Sequence, residues 1–149
     1  MSDTLDDRIH SEVTRLSEQG NAASEAGDYE KSLALFRQAL KLLPKPIQRW
    51  DAGGWLMTAI GDTHFLKGDY AAAASALKEA LEFPKTLGNP FVHLRLGESV
   101  YELGESARAA DELTRAYMGG GEELFDGEDP KYFRFLKTKI RTELPKSKR

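Results

Sequence analysis

The chain has 149 residues, of which 40% are hydrophobic and 30% charged, with a net charge of −3; this is the composition of one folded domain with a real core, not of a disordered segment. It contains no cysteine, which excludes a disulfide framework, a thiol nucleophile and any thiolate metal site. No apolar stretch approaches the roughly 20 residues of a spanning helix, and the acidic N-terminus MSDTLDDRIH resembles neither a signal peptide nor an anchor, so a cytoplasmic protein is expected.

In chain order, Ile9, Val13 and Leu16 fall on helical spacing up to Gly20, and Ala22 and Ala23 carry the pattern on. Gly27-Asp28 predicts a turn whose aspartate caps the next helix. Leu33, Phe36, Leu40 and Leu43 stripe that helix until Pro44 stops it. A long helix is then expected from about Pro46 to Lys67, a turn at Gly68-Asp69, and a helix from Ala71 to Phe83 before Pro84. Asn89-Pro90, a cap and first-turn proline, opens a helix to Leu103. After Gly104 another runs from Ser106 to Met118 and ends at Gly119-Gly120-Gly121. Gly53-Gly54 sits inside the long helix, at about 1 kcal/mol per glycine relative to alanine; either that helix begins later or something approaches it closely.

Asp129-Pro130 starts a last helix, with Tyr132, Phe133, Leu136 and Ile140 on helical spacing. It is expected to cap the apolar end of the preceding structure over about 129–141, with 145–149 a disordered tail. Charge is uneven. The first thirty residues hold eight acidic side chains against Arg8 and Arg15, whereas Lys131 to Arg149 holds eight basic ones against Glu143. Such asymmetry marks an interaction surface in some proteins and solvated helix faces in others. The basic tail lacks the aromatic or glycine-rich company of a nucleic-acid site, and no nucleic-acid partner is expected.

One pattern recurs three times. Glycine pairs seven residues apart occur at Gly20/Gly27, Gly61/Gly68 and Gly97/Gly104. Nine residues after each second glycine stands Phe36, Leu77 or Leu113, and twelve after it Ala39, Ala80 or Ala116. An internal repeat of this kind fixes the architecture before any single residue is weighed. Each unit reads as a helical hairpin with small residues at the crossing of its helices, the large residues filling the space between hairpins at about 1.5–3 kcal/mol apiece. The three units span about 4–44, 46–84 and 89–118.

These residues resemble the tetratricopeptide repeat. Ala26-Gly27-Asp28-Tyr29-Glu30, Lys67-Gly68-Asp69-Tyr70 and Leu103-Gly104-Glu105-Ser106, with the Phe36, Ala39, Pro44 and Leu77, Ala80, Pro84 sets, match its second half from about Thr14 to Met118. The glycine-to-glycine steps of 41 and 36 residues exceed the family's 34, the excess falling in the connections at 45–54 and 85–89. The resemblance implies an all-α, right-handed superhelical stack of three hairpins with a C-terminal capping helix. A narrower likeness, carried by the run from Trp50 to Tyr70, by Gly88-Asn89-Pro90-Phe91 and by Asp129-Pro130-Lys131-Tyr132, is to small bacterial stand-alone members, some of which accompany polymorphic toxins as immunity proteins.

The family's groove is lined by the first helix of each repeat. Counting from the glycines, the expected exposed stripe is Thr14, Ser17, Glu18, Asn21 and Glu25; then Trp55, Thr58, Asp62 and Phe65; then Phe91, Arg95, Glu98, Tyr101 and Glu102. Aromatic anchors among carboxylates suit a protein partner with basic and apolar groups, although Trp55, Phe65 and Phe91 could instead pack between repeats. Reversing Asp62 and Glu98 to lysine is expected to slow association without unfolding the chain. The family's clamp for chaperone C-terminal tails is matched only by Asn21 and Arg95. Ser17, Ala59 and Phe91 stand where its other residues would be, and the surrounding acids would repel a tail carboxylate.

Asp62-Thr63-His64 lacks a third metal ligand, and His64 and His93 read as core histidines. His10 reads as solvated, and the acids from Glu122 to Asp129 lack calcium-loop spacing. No cofactor, metal or catalytic constellation is indicated. The function expected is therefore a non-enzymatic groove that sequesters a partner protein: toxin immunity first, a chaperone or adaptor for a secreted or assembling protein as the alternative.

Overall fold

The computed structural model describes residues 4–140, which form seven α-helices and no strand. The expected tail at 145–149 and the end of the expected capping segment at 141 lie outside the described residues. The helices are α1 (Asp7–Glu25), α2 (Tyr29–Lys41), α3 (Asp51–Lys67), α4 (Tyr70–Ala80), α5 (Pro90–Glu102), α6 (Ser106–Gly120) and α7 (Pro130–Lys137). They pack as successive hairpins, α1 on α2, α3 on α4 and α5 on α6, with α2 against α3 and α4 against α5 joining the hairpins, and α7 trailing against α6.

The two glycines of each pair do different jobs. The first lies at the helix crossing: a Cβ on Gly20, Gly61 or Gly97 would stand 2.6, 2.5 or 2.7 Å from a side-chain carbon of Phe36, Leu77 or Leu113. The large residue of each repeat thus sits on its own hairpin's glycine, besides filling the space between hairpins. The second glycine ends the leading helix in left-handed backbone, as at Gly68 with φ 89°, a region costly to any residue with a Cβ. Asp28 and Asp69 then cap α2 and α4, accepting from Lys31 N and Ala72 N at 3.2 Å, whereas Glu105 makes no side-chain cap bond to α6. We predict that Gly61→Ala lowers stability by about 1–3 kcal/mol through overpacking, despite alanine's better helix preference. A urea midpoint that rises instead would show the α3–α4 crossing to be slack.

Gly53-Gly54 proves to be a close approach, and the helix also starts later than Pro46. The backbone makes a 3-10 turn over Ile47–Arg49 and stays extended at Trp50, whose indole N–H donates to Pro44 O at 2.7 Å. On the buried glycines sit Phe83 and Thr86, both within 3 Å of where a Cβ would be. They come from the turn after α4. That helix stops at Ala80 rather than Phe83 because the Thr86 hydroxyl donates to the carbonyls of Ala80 and Phe83 and folds the chain over. The glycine run at 119–121 shows similar economy: α6 continues through Gly119, which lies against Pro90, and ends at Gly121 with φ 72°. Beyond it α7 is shorter than expected, because the Thr138 backbone and hydroxyl both bond back to Phe135 O.

The core follows this plan. Phe36, Leu56, Ile60, Leu77, Phe83, Val92 and Leu96 form one continuous cluster through the three hairpins. A second, around Leu94, Leu113, Phe125 and Leu136, closes the C-terminal end.

Candidate functional site

The leading helices α1, α3 and α5 share one face of the stack, and its two halves differ. In the N-terminal half Thr14 and Ser17 of α1 and Trp55 and Ala59 of α3 line an open cavity of about 210 Å3 floored by Phe36. Trp55 is 47% exposed, and so is Leu66, eleven residues or roughly 16 Å further along α3. Both side chains project on nearly the same side, since eleven residues make just over three whole turns. Glu18, Asn21 and Glu25 lie exposed on α1.

The C-terminal half is occupied by the chain itself. Arg95 on α5 is only 8% exposed and donates to three carboxyl groups: Asp62 of α3 at 2.7 Å, Glu98 of α5 at 2.7 Å and Glu128, from the loop before α7, at 2.6 Å. Its guanidinium also lies over the rings of Phe65, 4.5 Å away, and Phe91, 5.0 Å away. Next to this cluster Glu102 accepts from Tyr132 Oη at 2.6 Å and pairs with Lys131 Nζ at 2.7 Å. The Tyr132 ring reaches between Phe65 and Tyr101, at centroid distances of 6.5 and 5.4 Å.

Burial sets the electrostatics. Glu98 is completely buried, and that desolvation, with Glu128 beside it, outweighs the pull of Arg95 and pushes its carboxyl up to about 9. We therefore treat the short Arg95–Glu98 contact as a hydrogen bond to a neutral acid at pH 7, not as an ion pair. Glu98 Oε2 is buried without a hydrogen-bond partner, and a neutral acid leaves no unpaired charge there. Burial works against charge on Arg95, but Asp62, Glu98 and Glu128 prevail and raise its pKa. For Glu102 burial is likewise overcome, here by Lys131 and Tyr132, and its pKa falls. Tyr132 moves up through burial and its bond to Glu102.

The expected exposed stripe is thus met only in part. Glu18, Asn21, Glu25 and Trp55 are exposed, and Asp62, Phe65, Phe91, Tyr101 and Glu102 are partly covered. Thr58, Arg95 and Glu98 turn out to be buried, Thr58 with its hydroxyl bonded to Gly54 O at 2.9 Å. Counting along α5 cannot show that a later segment folds over it. The acidic groove is correspondingly weaker than expected, because Arg95 and Lys131 offset most of the charge on α3 and α5. A lysine at position 98 would be buried against Arg95, so charge reversal there does not probe association. Glu128, Lys131 and Tyr132 were not among the expected groove residues; the Asp129-Pro130 cap followed by Tyr132 was the only sequence signal for them.

His64 and His93 are both buried. His93 Nδ1 lies 2.7 Å from Glu112, and His64, 3.3 Å from Arg37, has its pKa lowered chiefly by burial. Among the described residues no group of three His, Asp or Glu is placed to hold a metal, and no helix is long and apolar enough to cross a membrane.

Comparison with curated protein sequences gives no match. Among solved structures, the Yersinia enterocolitica type III secretion chaperone SycD, in complex with a peptide of the translocator YopD, superposes with a TM-score of 0.67 at 16% identity, over 84% of this chain and 89% of that one. The first tetratricopeptide domain of Spaghetti (RPAP3), bound to the HSP90 peptide SRMEEVD, gives 0.65 at 16% identity, over 86% and 92%. The C-terminal domain of a putative FK506-binding protein of Plasmodium falciparum gives 0.66 at 14%, over 91% and 90%. At these identities the likeness is one of fold. The sequence pattern of the tetratricopeptide repeat covers residues 12–86, half of the chain, which takes in the first two of the three glycine-paired hairpins. The protein belongs to the tetratricopeptide repeat family.

Proposed function

We propose that the chain is a non-catalytic, cytoplasmic protein-binding module that sequesters a partner by holding one of its segments along the face shared by α1 and α3. The observation that supports this most directly is Trp55. A tryptophan left 47% exposed beside a cavity of about 210 Å3 is an unfilled anchor of the kind that dominates interface energies. The matching segment would place an apolar side chain in that cavity and a second one near Leu66, with basic residues toward Glu18 and Glu25. Chaperone tails of the clamp-binding type fit poorly, since Arg95 already serves three carboxyl groups.

Sequestration of this sort serves toxin immunity, the use suggested by the narrower likeness to stand-alone bacterial members. A second reading, chaperoning of a secreted or assembling protein, is supported by the shared fold with SycD holding a translocator peptide. Co-expression with the product of the neighbouring gene separates them. Rescue of growth from a toxin domain speaks for immunity, and retention of a secretion substrate in soluble form speaks for chaperoning. In either complex Trp55→Ala is expected to weaken binding at least thirtyfold, about 2 kcal/mol, by calorimetric titration. An unchanged Kd would remove the α1–α3 face from the interface.

A further inference from the structure

We propose that residues 126–132 form a strap that occupies the C-terminal half of the groove in place of a partner, so that the full face of α1, α3 and α5 opens only when the strap lifts. This regulation rests on the reading of that face as the docking site.

Capping and covering are separate tasks in the C-terminal segment. Leu136, fully buried, and Phe133 join the cluster around Leu94, Leu113 and Phe125, which suffices to close the apolar end of the stack. Glu128 and Tyr132 do something else. They reach across α5 to the α3 side of the groove, where Arg95 links Glu128 to Asp62 and where Phe65 meets the Tyr132 ring. Beside them a cleft of about 400 Å3 stays open, lined by Gly127 and Asp129 of the strap and by Phe65 and Leu66 of α3.

The latch is also chemically surplus. Without Glu128, Arg95 keeps Asp62 and Glu98, two acids for one guanidinium. Lifting the strap therefore leaves Arg95 paired with Asp62 and orphans no buried charge on the groove side, whereas closing it sets the Glu128 carboxylate beside the buried Glu98 acid. Tyr132 and Lys131 release Glu102, which lies at the groove's edge, to water. The chain on either side can accommodate the movement. Gly121 turns in left-handed backbone at φ 72°, and Gly127 has open space around its Cα, with nothing within 4 Å of a Cβ position.

Hydrogen exchange on the unmodified full chain tests this first. The amides of Asp126, Glu128 and Tyr132, bonded to Glu123 O, Phe125 O and Asp129 O, should open at least a hundredfold more often than those in the middle of α3 and α5. If they exchange only with the whole molecule, the segment is ordinary core and the strap is refuted. A fluorescent peptide with the sequence of residues 122–140 then serves as the competing probe. Full-length Glu128→Ala should bind it at least tenfold more tightly than the unmodified chain; equal affinity, or no binding by either, overturns the proposal. These readouts are independent of Trp55. Should Trp55→Ala leave partner binding unchanged while the strap opens as expected, the docking surface fails and the strap stands.

Discussion

Replacing Arg95 with alanine is expected to cost about 3–5 kcal/mol of folding stability, the range for removing one partner from a buried ionic cluster. The guanidinium is the common partner of Asp62, Glu98 and Glu128, contributed by α3, α5 and the loop before α7. Without it, two ionised carboxylates and a buried acid face one another across a space that water enters poorly. Contacts with the Phe65 and Phe91 rings disappear as well. Arg95→Lys restores the charge but not the fork that serves three oxygens at once, so it should recover only part of the loss. Urea unfolding followed by circular dichroism measures both variants. A cost below about 1 kcal/mol for alanine would mean that the cluster behaves like a solvated surface pair.

The three-hairpin plan was legible because its constraints are local and recur. A turn that needs left-handed backbone and a crossing that excludes a Cβ leave glycines at fixed spacing, with a large residue and an alanine at fixed distances beyond. Gly53-Gly54 could not be interpreted in the same way, since the residues lying on it, Phe83 and Thr86, are some thirty positions away and bear no fixed spacing to the glycine pairs. The groove divides along the same line. Trp55 sits on a helix face that no later segment among the described residues covers, and counting from the glycine finds it exposed. Arg95 and Glu98 sit on α5, where every residue from Val92 to Val100 is buried. A central helix enclosed on all sides shows no polar stripe to read. Its sequence, with Leu94, Leu96 and Val100 alternating with His93, Arg95, Glu98 and Ser99, carried the hint that its polar side chains are inward and paired.

Glu98 gives the chain a pH dependence opposite to that of most acidic groups. In the unfolded chain its pKa is about 4.3; in the folded protein burial, with Glu128 facing it, pushes it up to about 9 against the pull of Arg95. Tyr132, also near, shifts up with it, while Asp62 reaches the site through Arg95. Between those two pH values the folded chain holds a proton that the unfolded chain has lost, so raising the pH favours unfolding. The stabilisation is complete below about pH 4 and is lost as pH rises toward and through 9, with a slope of at most about 1.4 kcal/mol per pH unit. Glutamine reproduces the neutral acid, with an oxygen for Arg95, at every pH. Glu98→Gln should therefore match the unmodified chain near pH 5, exceed it in stability by a few kcal/mol near pH 9, and remove most of the decline between. Comparing the two chains at each pH cancels the titration of every other group. Parallel stability curves would show that Glu98 is ionised in the fold and that Arg95, not a proton, satisfies it.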